Sequence, residues 1–191
     1  MSNATFLDLL SGNTPLLADG AMGTVLHGRG IGFDQCFDEL NLTNPAAVAE
    51  VHREYIEAGA QMILTNTFGG TPVVLDEYGV GHRALELSSR AAALAHQAAK
   101  EISSTDRPRF VAGSMGPTTK AITVTGGITF PELLETFYIQ AKGLIEGGAD
   151  VLLIETCQDT RNTKAALLAA ARLRGELGIK IPVMVSGTIE P

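Results

Sequence analysis

Four polar side chains stand at the ends of short apolar runs, and their placement is the first sign of chemistry in this sequence. Asp19 closes PLLAD (15–19), Asn66 closes AQMILTN (60–66), Ser114 closes RFVAGS (109–114), and Glu155 follows the apolar run 151–154. A carboxylate at the carboxyl end of a buried strand lies where α/β proteins place their reactive groups. Gly20 and Gly23, within DGAMGT, let a main chain approach a bound molecule closely while Asp19 directs a charge at it. Taken singly, each polar residue is equally a cap or a turn residue that satisfies its own loop. Four at matching strand ends read better as the rim of one site.

The runs do not alternate between apolar and polar, which fits strands covered on both faces, as in a parallel sheet. A fifth run, IPVMVS (181–186), has the same form. The runs recur about every 42 residues, enough for one strand, a crossover helix and a loop. The chain is therefore expected to hold five strands with helices between them. Asn44 caps a helix with Pro45 at its first position, a stripe of Val48, Val51, Tyr55 and Ile56, and a stop at Gly59. An alanine-rich helix spans about 82–102, Thr129 and Glu132 form a capping box, and Asp159 caps a helix reaching about Leu177. A short helix around Phe6, Leu9 and Leu10 would plug the amino-terminal face of a barrel. Connections leaving strand carboxyl ends (27–42, 69–81, and from Ser114 through Gly127) are long, whereas those entering strands (59–60, 147–149) are short. In a (β/α) barrel the long set builds the active face.

Composition narrows the function classes. With 191 residues, 45% hydrophobic, the chain can bury a sizeable core, and we read residues 1–191 as one domain. A net charge of -7 argues against a nucleic-acid or anionic-membrane partner. No run approaches the ~18 apolar residues of a membrane span, and the amino terminus lacks the form of a signal peptide. The two cysteines, Cys36 and Cys157, make no disulfide framework, so a reducing cytoplasm is the expected location. A zinc site from these cysteines and one of His27, His52, His82 or His96 lacks CxxC or HxxxH spacing. A closed barrel needs eight strands and ~250 residues, whereas five strands suffice for an open doubly wound sheet. No GxGxxG or GxxxxGK[ST] loop follows the first strand, and periodicity alone leaves both folds open.

The segments LLADGAMGT (16–24), AGAQMILTNTF (58–68), RFVAGSMGPT (109–118), GGADVLLIETCQDT (147–160) and PVMVSGTI (182–189) resemble the homocysteine-binding domain of cobalamin-dependent methionine synthases, within the homocysteine S-methyltransferase family. The likeness runs from the first strand to the fifth in the family's order. It implies a (β/α)8 TIM barrel of which only about five strands are present, leaving the domain incomplete at its carboxyl end. It implies that Asp19 and Glu155 hold the ammonium of homocysteine, with Gly20, Asn66 and Ser114 completing the substrate site and backbone amides near Gly20 and Ser114 meeting its carboxylate. It implies a full enzyme that uses zinc and methylcobalamin and is joined to cobalamin- and folate-binding domains. The family's zinc cysteines would lie beyond Pro191, so this chain alone is expected to hold no cofactor and to be inactive, with open sheet edges that invite self-association. Betaine- or S-methylmethionine-type homocysteine methyltransferases are the nearest alternative, and a non-catalytic truncated barrel is another.

Overall fold

The structure is a computed structural model that describes residues 5–104, 106–120, 122 and 127–189. Four parallel strands pair in sequence order: β1 (Met62–Leu64), β2 (Phe110–Met115), β3 (Val151–Cys157) and β4 (Val183–Gly187). Between them run the crossover helices α6 (Ala84–Ile102), α7 (Phe130–Glu146) and α8 (Thr160–Leu177), preceded by α4 (Pro45–Glu57). Parallel neighbours joined by one helix each are the repeating unit of a (β/α) barrel.

The helix boundaries follow the local signals. Asn44 accepts from the Ala47 amide with Pro45 in the first turn of α4, and Gly59 follows with φ 116°, which a side chain rarely adopts. Thr129 and Glu132 form the reciprocal capping box of α7, and Asp159 caps α8. The loop leaving β2 is long as expected, although residues 121 and 123–126 lie outside the described residues.

One expected strand is reduced. Residues 16–18 do lie beside β1, where Gln61 and Met62 amides donate to Leu17 O and Asp19 N donates to Met62 O at 2.9 Å. They form only the bridge Ala18↔Met62, so among the described residues the sheet has four strands rather than five. The chain leaves β1 immediately after Asp19, and Pro15 has no N–H with which to extend the ladder. Among the described residues, the short helices α2 (Met22–Gly28), α3 (Leu40–Thr43) and α5 (Pro72–Leu75) overlap or adjoin the connections read as 27–42 and 69–81.

Alternation along the strands splits the core into two layers. Met62, Phe110, Ala112, Val151 and Leu153 face the inside of the curved sheet. That side is closed at the amino end by α1 (Phe6–Leu10), whose Phe6 meets the Phe110 ring edge-on at 5.6 Å, as the plug expectation required. The opposite side packs on the helices: Met115, Leu152 and Ile154 against Leu133, Phe137 and Leu144 of α7 and the alanines of α8. With α1 at the amino end, the carboxyl ends of the strands are left as the open rim of the inner layer.

Candidate functional site

A cavity of about 730 Å³ lies at that open end, and all five expected site residues, Asp19, Gly20, Asn66, Ser114 and Glu155, line it. Asp19 reaches it because the backbone stops pairing there and its carboxylate turns over the end of β1. Oδ2 accepts from the Leu64 amide at 2.9 Å, while Oδ1 is buried with no hydrogen-bond partner. Burial pushes the Asp19 carboxyl up to about 7, with the Leu64 amide opposing and the nearby Glu155 charge adding to the rise.

Glu155 continues the alternation of β3 onto the inner face and accepts a hydrogen bond from Ser114 Oγ. Ser114 is itself held on three sides. Its amide donates to Thr65 Oγ1 at 2.9 Å, and its carbonyl accepts from Thr67 Oγ1 at 2.8 Å and from Gln140 Nε2 at 3.3 Å. Gln140, buried on α7, also donates to Thr67 O at 2.7 Å, so one helix side chain ties the loops after β1 and β2 together. A buried network of this kind rigidifies what it touches, although Gln140 Oε1 is itself buried without a partner. The Ser114 amide is thus already spent, which removes it as a donor to a ligand.

Asn66 is buried, and its amide nitrogen is committed to Phe37 O at 2.6 Å and Asn41 Oδ1 at 3.4 Å. Asn41 returns the bond from its own Nδ2 to Asn66 O at 2.8 Å. The two asparagines clamp the loop after β1 to the 36–41 segment. Gly20 packs under Tyr55, whose hydroxyl donates to Ala21 O, and a Cβ there would come within 2.9 Å of the Tyr55 oxygen. The glycine is needed for this approach as much as for any approach by a ligand.

Sequence reasoning missed a third acid. Asp38 lines the same cavity, has a buried Oδ1 without a partner, and is pushed up to about 7 by burial against the opposing pull of its own and the Gly69 amides. It sits in a loop with no periodic signal, and only the folding of 33–41 over the rim brings it in. Exposed aromatics also line the cavity: Phe33, 67% exposed, stacks on His27, and Phe68 and Tyr78 are part of the same lining. No lysine, arginine or histidine is among the described residues lining the cavity. Three carboxyls and no cation make a site suited to a positively charged group.

The residues present do not fit a metal. Among the described residues no three His, Cys, Asp or Glu side chains are grouped to hold one. Both cysteines are free thiols. Cys36 is buried beside Leu75 and Leu87, where burial and the Asp38 charge push its thiol up, and Cys157 packs toward the helices rather than the cavity. Among the described residues no helix is long and apolar enough to cross a membrane.

A parallel barrel-type sheet with an acid-lined cavity at its carboxyl rim defines the class as a partial TIM barrel, with the cavity on the face where such barrels carry their sites. A model of the family Homocysteine S-methyltransferase matches residues 16–191, and the chain belongs to that family. It is 40% identical over 190 residues to a methionine synthase of Mycobacterium tuberculosis, covering 96% of this chain and 16% of that protein. A methionine synthase of Mycobacterium leprae is 38% identical over 181 residues, covering 92% of this chain and 15% of the other. The chain thus spans under a fifth of the length of these relatives. Among solved structures, the metallated form of the homocysteine methyltransferase MmuM from Escherichia coli superposes with a TM-score of 0.72 at 26% identity, over 87% of this chain and 63% of that one.

Proposed function

We propose that this chain is the homocysteine-binding part of a methionine synthase, a methyltransferase that makes methionine from homocysteine with methylcobalamin as donor. In this reading Asp19 and Glu155 hold the substrate ammonium, and the Gly20 amide meets its carboxylate. Ser114 fixes Glu155, and Asn66 fixes the loop beside it. The observation that carries the reading is the cavity holding Asp19 and Glu155 with no basic group among the described residues lining it. An ammonium between them would draw Asp19 back to its ionised form, because opposite charge favours the carboxylate.

Zinc belongs to the proposal only as a group bound elsewhere. The residues of this chain do not fit it, and its ligands would be cysteines beyond Pro191. The full-length protein would then join this part to the rest of its barrel and to cobalamin- and folate-binding domains in the cytoplasm. The higher identity to methionine synthases than to the MmuM structure favours the cobalamin donor over a betaine- or S-methylmethionine-type enzyme. Alone, the chain would be inactive and would self-associate through the free edges of residues 16–18 and β4.

The test is calorimetric titration of the full-length protein with homocysteine and with its des-amino analogue, 4-mercaptobutyrate. Homocysteine is expected to bind at least about tenfold more tightly, and Glu155→Gln to remove most of that preference, as loss of a charged hydrogen bond should. Equal binding of the two thiols would refute the assignment of the acids.

A further inference from the structure

Glu155 is followed by an irregularity that the substrate site does not by itself require. Ile154 pairs with Val185, yet the next pairing joins Cys157 to Gly187, so three steps along β3 match two along β4. One extra residue is inserted, which is a β-bulge. At its centre Thr156 has φ 58°, and among the described residues it is the non-glycine residue held at positive φ. A β-branched side chain is poorly suited to that region, and such strain persists only where the surroundings enforce it.

The bulge changes which way the strand end faces. Val151 and Leu153 point to the inner layer, and Leu152 and Ile154 point to the helices. Unbroken alternation would carry Glu155 inward, Thr156 outward and Cys157 inward again, beside Glu155. Instead Cys157 packs in the helix-facing layer, and its Sγ donates to Ile154 O at 3.6 Å. The ladder then resumes with Thr188 N donating to Cys157 O at 3.1 Å.

We infer that Thr156 is a positioning residue for the substrate-binding acid: its left-handed backbone builds the bulge that fixes Glu155 against Ser114 in the cavity and turns the Cys157 thiol away from it. The inference rests on the reading of Glu155 given under Proposed function. A glycine at 156 would accept the left-handed conformation without strain but would also sample extended ones, freeing the strand end to revert to regular alternation. Asparagine tolerates the left-handed region better than other side chains while staying more constrained than glycine.

The experiment compares Thr156→Gly, Thr156→Asn and Glu155→Gln in the full-length protein, reading homocysteine affinity by calorimetry, Tm, and the rate at which Cys157 reacts with a thiol reagent. Thr156→Gly is expected to weaken homocysteine binding about five- to tenfold, part of one charged hydrogen bond, and to speed Cys157 modification. Its Tm is expected to be unchanged or higher, since strain is relieved. Thr156→Asn is expected to bind within about twofold of wild type. Affinity in Thr156→Gly within about twofold of wild type would overturn the inference, as would weakening accompanied by a fall in Tm, or equal weakening in Thr156→Asn. Unchanged affinity in Glu155→Gln would overturn the site assignment itself. Loss of affinity there with none in Thr156→Gly would overturn this inference alone.

Discussion

Replacing Asp19 by asparagine should make the protein more stable while weakening its substrate binding. Asp19 Oδ1 is buried without a partner and the carboxyl is raised from 3.8 to about 7, chiefly by burial. A shift of that size means the ionised form costs the folded state about 4 kcal/mol relative to the unfolded chain. Asparagine is nearly isosteric, and its amide oxygen can still accept from Leu64 N. Its NH2 group would occupy the place of the unpartnered oxygen, and an unsatisfied donor costs roughly 1–3 kcal/mol. The net expectation is a gain of about 1–3 kcal/mol at pH 8. The sign of the pH dependence follows from the raised pKa. The penalty is absent below 3.8, grows as pH rises toward about 7, and is constant above. Guanidinium unfolding of both proteins from pH 4.5 to 8.5 measures the difference, from which groups common to both cancel. A gap that stays constant with pH, or a variant less stable at pH 8, would refute the argument. The trade of stability for a charged substrate contact is common at binding sites.

Two other outcomes are expected. His52 on α4 is fully buried with both ring nitrogens unpartnered, and burial lowers its pKa from 6.5 to about 4. Its depressed pKa means stability is full above 6.5 and falls by up to about 3 kcal/mol as pH drops toward 4; His52→Gln should flatten that acid limb in denaturant titrations, and an unchanged slope would count against it. The free edge of β4 carries Val185, 50% exposed, so light scattering after size exclusion should find the isolated chain self-associated, and Val185→Lys should shift it toward monomer. An isolated chain that is monomeric before the substitution would show that the edge is already covered.

The elements of this chain were legible wherever the signal is short-range. Asn44-Pro45, the Thr129/Glu132 box and the Asp159 cap mark helix starts because capping joins residues two or three apart. The apolar runs ending in Asp19, Asn66, Ser114 and Glu155 reveal the sheet and the rim that lines the cavity, because parallel strands buried on both faces must be continuously apolar. The expected first strand shrank to one bridge, since how long a segment pairs depends on where its neighbour runs and not on its own composition. Asn66 looks like a ligand contact in sequence, yet its amide nitrogen is held by Phe37 and Asn41, which lie 29 and 25 residues away. Asp38 carries no pattern at all; it enters the cavity because a loop folds over the rim, and its raised pKa is a property of that burial. The turn of Cys157 away from the cavity is likewise set by one inserted residue in the register with β4. Periodicity and caps are written in neighbouring residues. Register, burial and charge are fixed by residues tens of positions apart, and only the folded chain brings those together.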